Sequence, residues 1–312
     1  MSGAIFLGER SRPVWFRPFC LLAAFLFLFA GVGCRRETVP RSESAAILVT
    51  VPPLSGLVRA VAGDTCRVVV LVPPGKEPET FMPTPSQMRE ITRCGVFFRV
   101  GLPVEESIVV RLASLNPRLR VVNLAETLPV TAASAEEVEL SGPDGDATHH
   151  HSHDGIDPHV WMSPSNLETM AAVVERTLSE IDPENAPLYR EGAGRFEKSA
   201  KALKERVAER LAPLRNRTLY VFHPAYGYYC AEFGFRQVAV EAGGKSPKSK
   251  DFVELVRRLR EENASKIFVQ PQFSRTAAEK LASELKLNIE VHSPLEEDPL
   301  ENIETLTEAL AR

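Results

Sequence analysis

The feature that most constrains this chain is a regular alternation of short apolar runs with stretches of helical period. The runs are Ala46–Val51, Arg67–Val72, Gly95–Val100 and Arg118–Leu124, then Thr218–Phe222, Arg236–Val240, Lys266–Val269 and Asn288–Val291. They are rich in Val, Ile and Phe and nearly continuous in apolar character, so each reads as a strand buried on both faces. Helical patterns fall between them. One ends at Gly63, another starts at Thr84-Pro85-Ser86, and others span roughly 226–233, 249–262, 274–286 and 299–311. Alternating strands and amphipathic helices imply parallel sheets covered by helices on both sides. Four strands in each half predict an α/β fold of two lobes, over residues 46–181 and 215–312.

Between the lobes lies Asp182–Leu214. Its apolar residues Leu188, Phe196, Ala200, Leu203, Val207, Leu211 and Leu214 recur mostly every three or four positions, with charged residues on the other face. That is helical spacing. Residues 182–214 read as one long linking helix; the alternative is a surface helix broken near Gly192 or Gly194.

The start of the chain is different. Residues 1–33 carry Arg10, Arg12 and Arg17 and then twelve apolar residues, Phe19–Ala30. Twelve are too few to span a bilayer and fit the apolar region of a secretory signal. Val32-Gly33-Cys34 resembles the end of a bacterial lipobox, with Gly31 where Leu is usual. The expectation is cleavage before Cys34 and lipidation of its thiol, which anchors the protein to a membrane. Ordinary signal cleavage and an uncleaved anchor are the alternatives. Each places the remainder outside the cytoplasm, in the periplasm or on the outer face of the cell membrane. Residues 34–45 are polar and read as a flexible tether.

The whole chain has a net charge of −4, and its first 33 residues hold three Arg and Glu9, so the mature part is near −6. That balance excludes nucleic acid as a partner. Cys66, Cys94 and Cys230 remain after the signal and the lipid site. A Cys66–Cys94 disulfide and buried free thiols are both open. There is no Cys-x-x-Cys, so a thiolate zinc site has no support.

Ligands of open α/β sheets bind beyond the carboxyl ends of the strands, and here those ends carry metal-binding chemistry. After the second strand comes Pro73–Ser86 with Glu79. After the fourth comes the loop 144–154, holding His149, His150, His151 and His153, followed by His159. After the fifth comes His223, and after the last come His292 and Asp298. Imidazole is the commonest metal ligand near neutral pH, and a His-rich polar loop is a compositional sign of metal binding. The bland reading of that loop is solvated chain, and a lone His such as His159 is more often structural. Together, these strand ends read as one divalent-metal site in a cleft.

These residues carry a resemblance. Asp157-Pro158-His159-Val160-Trp161 and Phe222-His223-Pro224-Ala225-Tyr226-Gly227-Tyr228 resemble the two signature motifs of the zinc/manganese solute-binding proteins of ABC importers, the ZnuA-like and PsaA/TroA-like lipoproteins. Glu241–Lys248, Gln270–Ser274 and Leu295–Asn302 resemble three further segments of that family, so the likeness covers residues 46–312. It implies two α/β lobes joined by a long helix, little hinge motion and a Zn²⁺ or Mn²⁺ ion between the lobes. It also implies a monomer that hands its ion to an ABC-type membrane permease. The implied ligand set is Glu79, His159, His223 and Asp298, with His149, His150, His151 and His153 as a secondary metal-holding loop.

One departure stands out. The family has His where this chain has Glu79. Zn²⁺ accepts nitrogen and carboxylate oxygen at similar distances, about 2.0–2.2 Å, so Glu can replace His. The alternatives are Glu77 or His292 in that role, or three ligands plus water. Two carboxylates would harden the site and favour Mn²⁺ more than a His-rich set does. The competing classes are a zinc-dependent hydrolase and a surface adhesin or metal-storage lipoprotein. No His-Glu-x-x-His, Gly-x-Ser-x-Gly or phosphate-loop motif supports an enzyme.

Overall fold

The computed structural model describes residues 46–128, 157–239, 257, 259–262, 264–272, 283 and 287–312. The signal and tether with Cys34, the loop histidines His149, His150, His151 and His153, the segment Glu241–Lys248 and most of 249–262 and 274–286 lie outside them. The first half comprises β1 (Ile47–Val49), α1 (Pro52–Ala62), β2 (Val68–Val70), α2 (Pro85–Ile91), β3 (Val96–Arg99), α3 (Pro103–Leu115), β4 (Arg120–Asn123) and α4 (Pro164–Ile181). The long helix α5 follows at Ala186–Leu211. The second half contains β5 (Thr218–Val221), α6 (Gly227–Phe233), β6 (Arg236–Ala239), β7 (Lys266–Val269), β8 (Asn288–Val291) and α7 (Pro299–Ala311).

The two sheets have the same plan. Among the described residues every pairing is parallel, with orders β2-β1-β3-β4 and β6-β5-β7-β8. The order reverses direction between β1 and β3 and between β5 and β7, and such reversal points leave crevices at the carboxyl ends of the strands. The strands β7 and β8 and the helix α7 coincide with the sequence reading. The strands β1 to β5 are shorter than their apolar runs by one to three residues.

Local sequence explains most helix starts. Pro occupies the first helical turn of α1 to α5 and of α7, where its missing N–H costs nothing. Thr84 caps α2 in a reciprocal capping box with Gln87, and Ser163 caps α4 through Asn166 N–H. Asp298 does the same for α7, its Oδ1 accepting from Leu300 N at 3.0 Å and Glu301 N at 3.1 Å.

Helix α5 is unbroken through Gly192 and Gly194. At 26 residues it is about 39 Å long. Its buried face runs Tyr189, Gly192, Phe196, Ala200, Leu203, Val207 and Leu211, and it packs against α4, α1 and α7. Gly192 is there for close approach. A Cβ at this position would sit 2.2 Å from Val61 O, so α1 and α5 touch backbone to backbone.

The main hydrophobic core is continuous across both sheets. It includes Leu48 and Phe97 of the first, Val221 and Phe268 of the second, and Leu203 of α5. A smaller cluster around Tyr220, Val238 and Ile267 covers the other face of the second sheet. Polar links reinforce the shared core. Trp161 Nε1 donates to Pro294 O at 2.7 Å, and Tyr229 and Thr307 hydroxyls meet at 2.8 Å. Glu232 of α6 accepts from Ser163 and Ser165, and Lys204 of α5 pairs with it at 3.0 Å. Apolar burial shared this way opposes hinge opening, since separating the halves would expose Trp161 and its neighbours to water.

The thiols of Cys66, Cys94 and Cys230 are free, so the Cys66–Cys94 bridge is not formed. Burial pushes all three up, Cys94 to about 11. Thiols held protonated in apolar surroundings are poor nucleophiles and poor metal ligands.

Candidate metal centre

His159 sits where the chain re-enters the core, just before the 3₁₀ turn Val160–Met162 that leads into α4. Asp157, two residues earlier, folds back on it. Asp157 Oδ1 accepts both the His159 backbone N–H at 2.8 Å and ring Nδ1 at 2.7 Å. The carboxylate therefore fixes the tautomer with the proton on Nδ1, and Nε2 presents a lone pair. An imidazole oriented by a carboxylate is the usual arrangement of a metal-binding histidine.

His223 follows β5. Its backbone is gripped by one side chain: Gln270 Oε1 accepts from His223 N at 3.2 Å and Gln270 Nε2 donates to His223 O at 2.8 Å. Gln270 comes from the end of β7, the neighbouring strand across the reversal point. Both histidines are buried, and their rings meet edge-on with centroids 5.4 Å apart.

Glu79 comes from the loop after β2. Its Oε1 lies 3.4 Å from His223 Nε2. Donor atoms of Glu79, His159 and His223 all fall within 4.8 Å of one another. For bonds of about 2.0–2.2 Å, two donors on a tetrahedral ion are separated by about 3.3–3.6 Å. The Glu79–His223 pair already has that spacing, and the rest of the set needs only a small contraction. The donors face a cavity of about 20 Å³, also lined by Leu102, Pro294 and Leu295. That is room for one water or one ion.

The remaining expected candidates are placed elsewhere. Asp298 is exposed, caps α7, and is not among the three gathered donors. His292 is buried behind the site, its Nδ1 3.1 Å from Tyr226 Oη and its Nε2 3.1 Å from Asn302 O. Burial pushes its pKa down, so it is held neutral as a structural histidine. Glu77 lines the cavity and accepts from Thr80 Oγ1 at 3.2 Å, but it lies outside the three-donor group. The sequence reading assigned no role to Asp157, Gln270 or Gln272. The signal for Asp157 was its place two residues before a ligand-type histidine, close enough for its carboxylate to reach that ring.

This geometry, a small cavity of two imidazoles and a carboxylate between two like sheets, is matched by known proteins. A family model described as "Zinc-uptake complex component A periplasmic", ZnuA, matches residues 47–311. The chain belongs to the ZnuA family. Like other ZnuA-family chains it is a solute-binding protein of an uptake system and not an enzyme, so the hydrolase alternative is set aside. The high-affinity zinc uptake system protein ZnuA of Paracoccus denitrificans is 29% identical over 269 residues, which are 80% of this chain and 81% of that one. The manganese-binding lipoprotein MntA of Halalkalibacterium halodurans is 27% identical over 213 residues, 67% of this chain and 65% of that one. The crystal structure of ZnuA superposes with a TM-score of 0.76 at 25% identity, covering 86% of this chain and 98% of that one. The two-lobed α/β architecture is thus the ZnuA fold.

Proposed function

We propose that this ZnuA-family protein captures a divalent metal ion outside the cytoplasm and delivers it to the permease of an ABC importer. Zn²⁺ is the first choice of cargo and Mn²⁺ the second. The observation that carries the reading is the convergence of Glu79, His159 and His223 on one cavity. Two imidazoles with one carboxylate form a nitrogen-rich set that Zn²⁺ favours. Capture strips water from the ion and replaces it with donors held in place by Asp157 and Gln270. Release requires only that the cavity donors move apart, since the core beneath them is shared by both sheets.

Around this site we place the rest of the sequence reading. Residues 1–33 serve as the signal, Cys34 as the lipid anchor and 34–45 as the tether, with lobes 46–181 and 215–312 linked by 182–214. The protein works as a monomer. His149, His150, His151 and His153 hold further ions weakly and supply the cavity. Isothermal titration with Zn²⁺ tests the site. His159→Ala and His223→Ala should each weaken binding by at least 100-fold, taking about 10–100-fold as the effect of losing a mere outer-shell partner. Parent-like titrations of both variants would refute the reading. Deleting 144–154 should remove weak binding and leave the tight ion; loss of the tight ion would mean the loop supplies a ligand of the main site.

A further inference from the structure

We infer that the side-chain amide oxygen of Gln272 is the fourth donor to the ion, a role the family resemblance implied for Asp298. The inference rests on the three-donor reading above. It begins with the polar atoms of the cavity. Apart from Glu79, His159 and His223, the wall contributes Glu77, Gln270 and Gln272, with Leu102, Pro294 and Leu295 apolar. Glu77 stands outside the cluster of converging donors. Gln270 has both ends of its amide bound to the His223 backbone. Gln272 has only one end engaged: Nε2 donates to Ser293 Oγ at 3.3 Å, while Oε1 is buried with no hydrogen-bond partner.

A buried carbonyl oxygen without a partner is unfavourable, and native structures rarely keep one without a reason. A cation in the cavity removes the penalty. It also selects the amide orientation, because the reverse one would turn an NH₂ group towards a positive charge. Ser293 supports the selected orientation from behind, its Oγ accepting from both Gln272 Nε2 and Leu295 N. Asp298 has the opposite character. It is exposed, and its Oδ1 is used by two backbone N–H groups of α7.

The consequence is a set of two imidazoles, one carboxylate and one neutral oxygen. One negative charge then ligates the doubly charged ion, where Glu79 with Asp298 would have supplied two. A single carboxylate binds hard ions such as Mn²⁺ less well than two do, so Gln272 biases the site towards Zn²⁺.

The test is competitive titration of Zn²⁺ and Mn²⁺ with the untagged full-length protein and its Gln272→Ala, Gln272→Glu and Asp298→Asn variants. Co²⁺ absorption of each reports the coordination number. Gln272→Ala should bind Zn²⁺ at least about 10-fold more weakly and alter the Co²⁺ spectrum. Gln272→Glu should bind both ions more tightly and lower the Zn²⁺/Mn²⁺ affinity ratio; a measurable effect of this near-isosteric change does not depend on how Gln272→Ala folds. Asp298→Asn keeps a capping oxygen and should retain the parent's spectrum. Parent-like affinity and spectra in both Gln272 variants would overturn the assignment, as would a loss in Asp298→Asn equal to that in His159→Ala. Parent-like binding by His159→Ala and His223→Ala would instead overturn the three-donor reading, and the inference with it.

Discussion

Replacing Asp157 with Ala separates metal affinity from folding. Asp157 makes no direct approach to the proposed ion; it holds His159 through two bonds to Oδ1, at 2.7 Å from Nδ1 and 2.8 Å from the backbone N–H. Losing a carboxylate that orients a metal-binding imidazole costs about 10–100-fold in affinity, or about 1.4–2.7 kcal/mol. The folding cost is offset. Hydrogen bonds to a charged group are worth about 1.5–3 kcal/mol each, yet Asp157 Oδ2 is buried without a partner, so removing the carboxylate also removes a desolvation penalty. The neighbouring glycine fits this crowding, because a Cβ at Gly227 would stand 2.5 Å from Oδ2. Asp157→Ala should therefore keep one tight site with affinity lowered by one to two orders of magnitude, while the metal-free melting temperature moves little. Competitive Zn²⁺ titration and thermal melting in chelator read the two quantities. Parent-like affinity would refute the argument that Asp157 sets the tautomer and aim of His159.

Three further predictions follow from named contacts. Glu79→His should raise the Zn²⁺/Mn²⁺ affinity ratio, since nitrogen for oxygen favours the softer ion, whereas Glu79→Ala should weaken both; competitive titration decides, and unchanged binding in the Ala variant would remove Glu79 from the site. Gly192→Ala should destabilise the protein by about 1–3 kcal/mol through overpacking against Val61 O, read from the urea midpoint at constant slope; a midpoint equal to the parent's would show that the two helices can part without cost. Burial raises the Glu105 carboxyl above its usual 4.5, despite bonds from Thr50, Val100 and Gly101. The folded protein then holds a proton that the unfolded chain releases, so this group's contribution falls as pH rises from 4.5 through the raised value. Glu105→Gln should flatten that decline in urea titrations between pH 4 and 7, and an unchanged pH profile would contradict it.

Much of the architecture was legible because burial on both faces leaves a plain mark. Continuous Val, Ile and Phe runs marked the eight strands found among the described residues, Thr84-Pro85-Ser86 marked the start of α2, and the helical stretch 299–311 matched α7. Two residues carry more than one physical reading. Gly192 looks like a helix breaker in sequence, yet it marks the place where α1 and α5 meet backbone to backbone. Asp298 follows the last strand, where a ligand is expected, and Asp-Pro is also a cap followed by a first-turn proline; in the structure its Oδ1 caps α7. The neutral side chains of the site were hardest to read. Gln270 and Gln272 carry no charge and no ligand signature, and only the pairing of β7 beside β5 brings Gln270 onto the His223 backbone and Gln272 to the same cavity.

The central claim is that one divalent ion binds between Glu79, His159 and His223. Native mass spectrometry with elemental analysis, on protein purified without a His tag and with residues 144–154 deleted, tests it most directly. The account predicts one tightly held ion per chain, zinc above manganese, absent from the His159→Ala/His223→Ala double variant. A chain that carries no ion at equimolar Zn²⁺, or a double variant that still carries one, would contradict it.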